Sequence, residues 1–275
     1  MIKLAPAKIN LGLEIIGKRK DGFHEIKSIF YPIDWFDVVE IVRSDANEDS
    51  FHAYGIEIDG NPQDNLVLKA VELIREDHFL PALKVGLLKN IPIGAGLGGG
   101  SSDASACLML LNEVFNLNIA KAKLLEYAAK LGSDCPFFIH QQCALVEGRG
   151  EIITPIELKF KDHFILVHYP DLHVSTKDAY SGLSLNHNES AFEEHPDSNA
   201  SVLSKSPAKW MGKLHNHFEE TIFGKYPNIA KVKETMLEKG AVYASMSGSG
   251  SAVYGIFKDM PSTADWTGKN WAGKL

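Results

Sequence analysis

The sequence predicts an α+β protein in two lobes, and three observations lead there. The first 60 residues read mostly as β-strand, a helical middle follows a glycine-rich segment, and near residue 150 the pattern returns to strands. With 275 residues, 45% of them hydrophobic, the chain is long enough for a substantial buried core, which excludes disorder as a whole-chain reading. The join falls near residues 148–160, giving an amino-terminal lobe over 1–155 and a carboxy-terminal lobe over 156–275.

Each element has its own local reason. INLGLEII alternates apolar residues and IFYPIDWFDVVEIV is rich in β-formers, with the turn-like KRKDGFHE between them. Residues 65–79 place Leu66, Leu68, Val71, Leu73 and Ile74 at helical spacing after the polar turn GNPQD. LKVGLLKNIP reads as a strand that Pro92 ends. GAGLGGGSSDASACLMLLNEVF is a glycine loop running into a helix whose apolar face uses Ala104, Cys107, Leu108, Leu111 and Phe115. Another helix is expected over 121–131, closed by Gly132. Strands at 152–158 and 164–169 then lead through PDLHVSTKDAY into a polar stretch over 186–209, read as loop with short helices. Helices over 209–223 and 228–239 precede AVYASMSGSGSAVYGIF, a strand, a glycine turn and a strand.

Composition narrows the setting. Cys107, Cys135 and Cys143 are too few and too odd in number for a disulfide framework, and no CxxC pair occurs, so a reducing compartment is expected. Lys8 and Asn10 interrupt the apolar amino terminus, so it does not read as a signal peptide, and no run of 18 apolar residues suggests a membrane span. The expectation is a cytoplasmic protein with no membrane partner. Without a secretory signal, the sequons at Asn188 and Asn199 carry little weight. A formal charge of -7 disfavours nucleic acid as partner. The first 30 residues are nevertheless basic, with Lys3, Lys8, Lys18, Arg19, Lys20 and Lys27 against Glu14, Asp21 and Glu25. That excess reads either as an anion footprint or as lysines on the outside of a strand pair.

The glycine loop carries the clearest chemistry. Gly94, Gly96, Gly98, Gly99 and Gly100 let a ligand approach the main chain, and successive amides plus the start of a helix favour an anion, with phosphate the obvious guest. Ser101 and Ser102 are either helix caps or donors to phosphate or Mg²⁺. Gly94, Gly96 and Gly99 satisfy GxGxxG, yet the acidic ribose contact that a dinucleotide fold places about 20 residues on is missing from NLNIAKAK. Protein-kinase motifs and a Gly-Lys-Ser or Gly-Lys-Thr Walker signature are absent too.

PIGAGLGGGSSDASA resembles the central motif of the galactokinase, homoserine kinase, mevalonate kinase and phosphomevalonate kinase superfamily, and PAKINLGLEI and MSGSGSAVYGIF resemble its first and third motifs. Within it, KINLGLEIIGKRKDGFHEIKSIF, GLGGGSSDA and LGSDCPFFIHQQCALVEGRGE are similar to the 4-diphosphocytidyl-2-C-methyl-D-erythritol kinase family. The resemblance implies a two-lobed small-molecule kinase fold with a ferredoxin-like carboxy-terminal lobe. It also implies ATP with Mg²⁺ as phosphoryl donor. The acceptor would be the 2-hydroxyl of 4-(cytidine 5'-diphospho)-2-C-methyl-D-erythritol, a step of the non-mevalonate isoprenoid pathway.

It further implies roles for individual residues. Asp134 would take the hydroxyl proton with Lys8 beside it, and Asn10 would orient the acceptor. Without the resemblance, Asp134 reads as a cap ahead of CPFFI and Lys8 as a strand lysine. His24 would bond the cytosine edge, Phe23 and Tyr180 would stack on its faces, and Thr176 would touch substrate from the second lobe; Phe23 stands where tyrosine is common in the family. ATP would be held by Pro92, Gly94, Gly96, Leu97, Gly98, Gly99, Gly100, Ser101 and Ser102, with Asn65, Lys89, Gly248 and Gly250 nearby. Their plain alternatives are a helix cap for Asn65, a solvated lysine and turn glycines. No acidic residue is assigned to Mg²⁺, and the HxH pair His215 and His217 is not expected to bind metal. Two other readings stand beside this one: another small-molecule kinase of the superfamily, and a non-catalytic ligand sensor on the same fold. The presence of both Asp134 and Lys8 argues against the sensor.

Overall fold

The computed structural model describes residues 1–158, 160, 162–181, 202, 203 and 205–275. Most of the polar stretch over 186–209, with Asn188 and Asn199, lies outside them. The chain forms two compact units and passes between them repeatedly: one comprises Met1–Lys8, Pro32–Ile93 and Gly98–Gln142, the other Ile9–Tyr31, Gly94–Leu97 and Cys143–Leu275. Strands β1 (Ile2–Lys18) and β2 (His24–Arg43) pair with each other, and each contributes to both units.

In the first unit, β4 (Leu83–Lys89) runs antiparallel to β2, from Val38 opposite Leu88 to Arg43 opposite Leu83, and β3 (Ser50–Gly55) runs parallel to β4. The two-residue period sorts β4: Leu83, Val85, Leu87 and Lys89 are buried, while Lys84 and Leu88 are exposed. The same alternation on β2 buries Asp37, Val39 and Ile41. Three helices supply the rest of one core: α1 (Leu66–Asp77) through Val67, Val71 and Ile74, α2 (Gly99–Val114) through Ala104, Cys107, Leu108 and Leu111, and α3 (Lys121–Leu131) through Leu124 and Tyr127. On α2 this is the face that helical spacing predicts, whereas on α1 Val71, Leu73 and Ile74 are buried as expected but Val67 and Ala70 complete the face in place of Leu66 and Leu68, which are half-buried. A short α4 (Cys135–His140) follows, with Pro136 in its first turn and Phe137 and Phe138 buried.

In the second unit, the first half of β2 pairs with β5 (Ala144–Gly148), and β5 with β6 (Ile152–Pro155). The strand expected over 152–158 stops at Pro155, which cannot donate to a ladder. A four-stranded antiparallel sheet, ordered β10-β7-β9-β8, is built from β7 (Phe164–Tyr169), β8 (Tyr243–Met246), β9 (Val253–Phe257) and β10 (Lys269–Lys274). Numbered within this sheet the order is 4-1-3-2, that of ferredoxin-like sheets, although residues 258–268 join β9 to β10 without a helix. Helices α5 (Thr176–Ser181), α6 (Phe218–Lys225) and α7 (Pro227–Glu238) accompany it, and Phe218, Ile222, Ile229 and Met236 share a core with Leu166, Ala244, Met246 and Val253. The helix expected over 209–223 is a correction. Only Phe218–Lys225 is helical, because Gly212 takes a φ of 72° and the next backbone groups bond to β1: Leu13 donates to the His215 carbonyl, and His217 donates to that of Leu13. No helix among the described residues is long and apolar enough to cross a membrane.

Candidate active site

The glycine loop leaves β4 at Lys89 and enters α2 at Gly99. Gly96 and Gly98 are glycines for two reasons each. Both take positive φ, 77° and 71°, and neither has room for a side chain. A β-carbon on Gly96 would run into the Ser247 carbonyl, and one on Gly98 would lie 2.8 Å from Cζ of Phe138 and 3.2 Å from Cγ of Lys8. Gly98 is the N-cap of α2 and has no side chain to fold back on the helix, so the amides of Gly99, Gly100 and Ser101 are left uncapped. Ser101 and Ser102 lie inside the first turn, which removes the capping alternative for both. The Ser102 hydroxyl is buried without a hydrogen-bond partner among the described residues. Uncapped amides, the positive end of a sixteen-residue helix and an orphaned hydroxyl together suit a phosphate. Pro92 and Leu97 are buried and fix the path of the loop.

The third glycine-rich segment is bonded to this loop. Ser247 Oγ donates to the Gly96 carbonyl at 2.9 Å, the Ala252 amide donates to the Ala95 carbonyl at 3.1 Å, and a β-carbon on Gly248 would stand 3.1 Å from the Gly96 oxygen. Asn216 Nδ2 donates to the carbonyls of Met246 and Gly248, both at 2.8 Å, while its Oδ1 accepts from the Phe218 amide. Asn216 is absent from the sequence reading. It is the middle residue of the HxH triplet, whose flanking histidines face elsewhere: His217 Nδ1 accepts from the Ile15 amide, and His215 Nε2 contacts the Gly212 carbonyl.

Lys8 and Asp134 meet as expected, with Nζ 3.6 Å from Oδ2. Lys8 is 3% exposed, so burial lowers its pKa against the opposing pull of Asp134. The Asp134 side chain is 33% exposed and makes no capping bond to α4, which leaves the carboxylate open to another partner. Since the Lys8 stem lies against Gly98, this pair stands beside the amino end of α2.

A second cluster gathers the residues assigned to the base. His24 stacks on Tyr180, and Phe218 meets the Tyr180 ring edge-on. Burial and nearby Lys18 lower the His24 pKa, leaving a neutral imidazole at neutral pH. Phe23 is half exposed, and the Arg149 guanidinium lies 4.7 Å from its ring centre, a contact with no sequence signal. Thr176 and Tyr180 share a face of α5, and Thr176 Oγ1 is 3.4 Å from Ser249 Oγ. Asn10 is buried and its carboxamide is engaged: Nδ2 donates to Ser28 Oγ at 2.9 Å, and Oδ1 lies 3.5 Å from Ser247 Oγ. In the basic cluster ahead of DGFHE, Arg19 pairs with Asp21 and Glu25.

Two residues assigned to ATP have structural duties. Asn65 caps α1, its Oδ1 accepting from the Val67 amide at 2.9 Å. Lys89 is buried between Asp37 and Asp103, donating to both. Asp103 is 2% exposed, and burial raises its pKa to about 7 even beside that lysine. Among the described residues no group of three His, Cys, Asp or Glu is placed to hold a metal.

Comparison with known proteins finds relatives along nearly the whole chain. Residues 65–142 match the GHMP kinases N terminal domain and residues 202–263 the GHMP kinases C terminal domain. The chain is 45% identical to the 4-diphosphocytidyl-2-C-methyl-D-erythritol kinase of Azobacteroides pseudotrichonymphae over 94% of both chains. It is 45% identical to that of Bacteroides thetaiotaomicron over 97% of this chain and 96% of the relative. A solved 4-(cytidine 5'-diphospho)-2C-methyl-D-erythritol kinase superposes with a TM-score of 0.79 at 30% identity, covering 99% of this chain and 98% of the other. Homoserine kinase from Cytophaga hutchinsonii, 17% identical, shares the fold with a TM-score of 0.70 over 94% of this chain and 84% of its own. The chain therefore belongs to the GHMP kinases and, within them, to the 4-diphosphocytidyl-2-C-methyl-D-erythritol kinase family.

Proposed function

We propose that the protein transfers the γ-phosphoryl group of ATP to the 2-hydroxyl of 4-(cytidine 5'-diphospho)-2-C-methyl-D-erythritol, in the cytoplasm. The observation that carries this reading is the buried Lys8 facing the uncapped Asp134, with the Lys8 stem against the glycine that opens α2. An alcohol is a poor nucleophile at neutral pH. Asp134 takes its proton as the bond to phosphorus forms, and Lys8 favours both the ionised carboxylate and the developing alkoxide. A positioned base of this kind contributes about 10²–10⁴ in rate.

Charge on the phosphoryl oxygens is met by the amides of Gly99, Gly100 and Ser101 and by the α2 dipole. The donors present fit ATP as its Mg²⁺ complex: the buried, unpartnered Ser102 hydroxyl would be a protein ligand to the ion at the loop. The bound ion supplies neutralisation of the phosphate charge. His24, Tyr180, Phe23 and Thr176 recognise the cytidine end, where a flat heterocycle gains about 1–3 kcal/mol from stacking on an aromatic face.

An ADP-release assay with Mg-ATP and a panel of alcohols tests the assignment. Turnover is expected with the cytidylylated methylerythritol and not with mevalonate, homoserine or a sugar. Turnover confined to one of the others overturns it.

A further inference from the structure

Asp37 belongs to no motif, yet it is fully buried at the end of β4 from which the glycine loop departs. The β2–β4 register, Val38 opposite Leu88, extends by one step to bring Asp37 opposite Lys89 on the inner face. Its Oδ1 accepts from the amides of Asn90 and Ile91, at 2.6 and 2.8 Å, and its Oδ2 accepts from Lys89 Nζ. Lys89 Nζ also donates to Asp103 Oδ2 at 2.8 Å, on the second turn of α2. One carboxylate thus holds three successive residues before Pro92 and, through Lys89, the helix on the far side of the loop.

Gly99 is independent support. Its φ is not in the left-handed region, so conformation does not demand glycine there. Space does: a β-carbon would lie 2.9 Å from Lys89 Nζ and 3.3 Å from Asp37 Oδ2. The first residue of α2 is glycine because the clamp passes against it.

We propose that Asp37 is a positioning residue for the phosphate loop, acting with Lys89 and Asp103 to fix both of its ends, and that the Lys89 ammonium serves this clamp instead of touching phosphate. The proposal rests on the reading that the loop holds ATP phosphates. A loop with so many glycines loses much conformational freedom on binding, and holding its ends beforehand reduces that cost.

The test is calorimetric titration of the full chain with the Mg²⁺ complex of a non-hydrolysable ATP analogue, for the wild type and Asp37→Asn. The asparagine keeps the shape but presents an NH₂ group to Lys89 or to the two amides. Affinity per folded molecule is expected to fall about tenfold or more, the scale of hydrogen bonds to a charged group, while KM for the acceptor stays unchanged. A merely structural role lowers the melting temperature and the yield but leaves the analogue affinity of folded molecules as it was, and that result overturns the proposal. Should Asp37→Asn not fold, Asp103→Leu keeps the bonds of Asp37 to Asn90, Ile91 and Lys89 and cuts only the link to α2. It should lose affinity in the same direction by a smaller factor, and unchanged affinity overturns the proposal equally. A wild type that does not bind the analogue refutes the ATP reading itself.

Discussion

His24 lies flat on Tyr180, with ring centroids 4.5 Å apart and planes inclined by 18°. Both residues are assigned to the cytosine, so one face of Tyr180 is covered by its neighbour in the assignment. The base must either displace the imidazole or extend the stack. His24→Ala should therefore raise KM for the cytidine substrate about 5- to 100-fold, the range of one lost stacking or edge contact, with KM for ATP unchanged. An unchanged acceptor KM removes His24 from the pocket.

The same residue sets a pH expectation. Burial and Lys18 lower the His24 pKa from 6.5, so the imidazole is neutral above that value and charges only below it. Acceptor KM should be flat through neutrality and rise on acidification below 6.5, and this limb should vanish in His24→Gln. A limb that persists in the variant belongs to another group.

Lys8 should separate activity from stability. Its folded pKa is lowered, so the native state binds fewer protons than the unfolded chain between that value and 10.5. The burial cost is full below the folded pKa and fades as pH rises through the window. Lys8→Met removes the cost, and the partner left behind is one-third exposed and can be solvated. The variant should lose kcat by about 100-fold or more yet melt at or above the wild-type temperature at neutral pH. A large fall in melting temperature would show that the ion pair holds the fold together.

Asn216 is a structural prediction with a functional reach. Asn216→Asp replaces two buried N–H donors by an oxygen facing the carbonyls of Met246 and Gly248. The cost should exceed the roughly 1–3 kcal/mol typical of one lost buried partner, seen as a lower denaturation midpoint, and exceed that of Asn216→Ala. An aspartate variant as stable as wild type would show that these bonds contribute little.

Period and punctuation made much of this legible. The β-formers of IFYPIDWFDVVEIV and the strand reading of LKVGLLK give β2 and β4, and the helical spacing in 65–79 and the glycine loop running into a helix give α1 and α2. The failures have physical causes. Residues 210–217 carry a helix-like spacing but have their backbone taken by β1, a tertiary demand that no local pattern shows. Lys89 looks like a surface lysine until its place after Leu83, Val85 and Leu87 is weighed, and that alternation, with Asp37 ahead of Val39 and Ile41, was the available signal for a buried ion cluster. Lys8 and Asp134 lie 126 positions apart, and only the family resemblance joined them before the fold did. Arg149 over Phe23 had no signal at all.

The most direct measurement follows the phosphorus itself. In the cytidylylated methylerythritol, C2 carries a methyl group and no hydrogen, so a phosphate placed there gives a monoester resonance without three-bond coupling to a proton. Phosphorus NMR of the wild-type reaction should show that uncoupled resonance growing in step with ADP. Asp134→Asn, still binding ATP, should form it at least about 100-fold more slowly. A proton-coupled product, or an Asp134→Asn rate equal to that of the wild type, would contradict phosphorylation of the 2-hydroxyl with Asp134 as base.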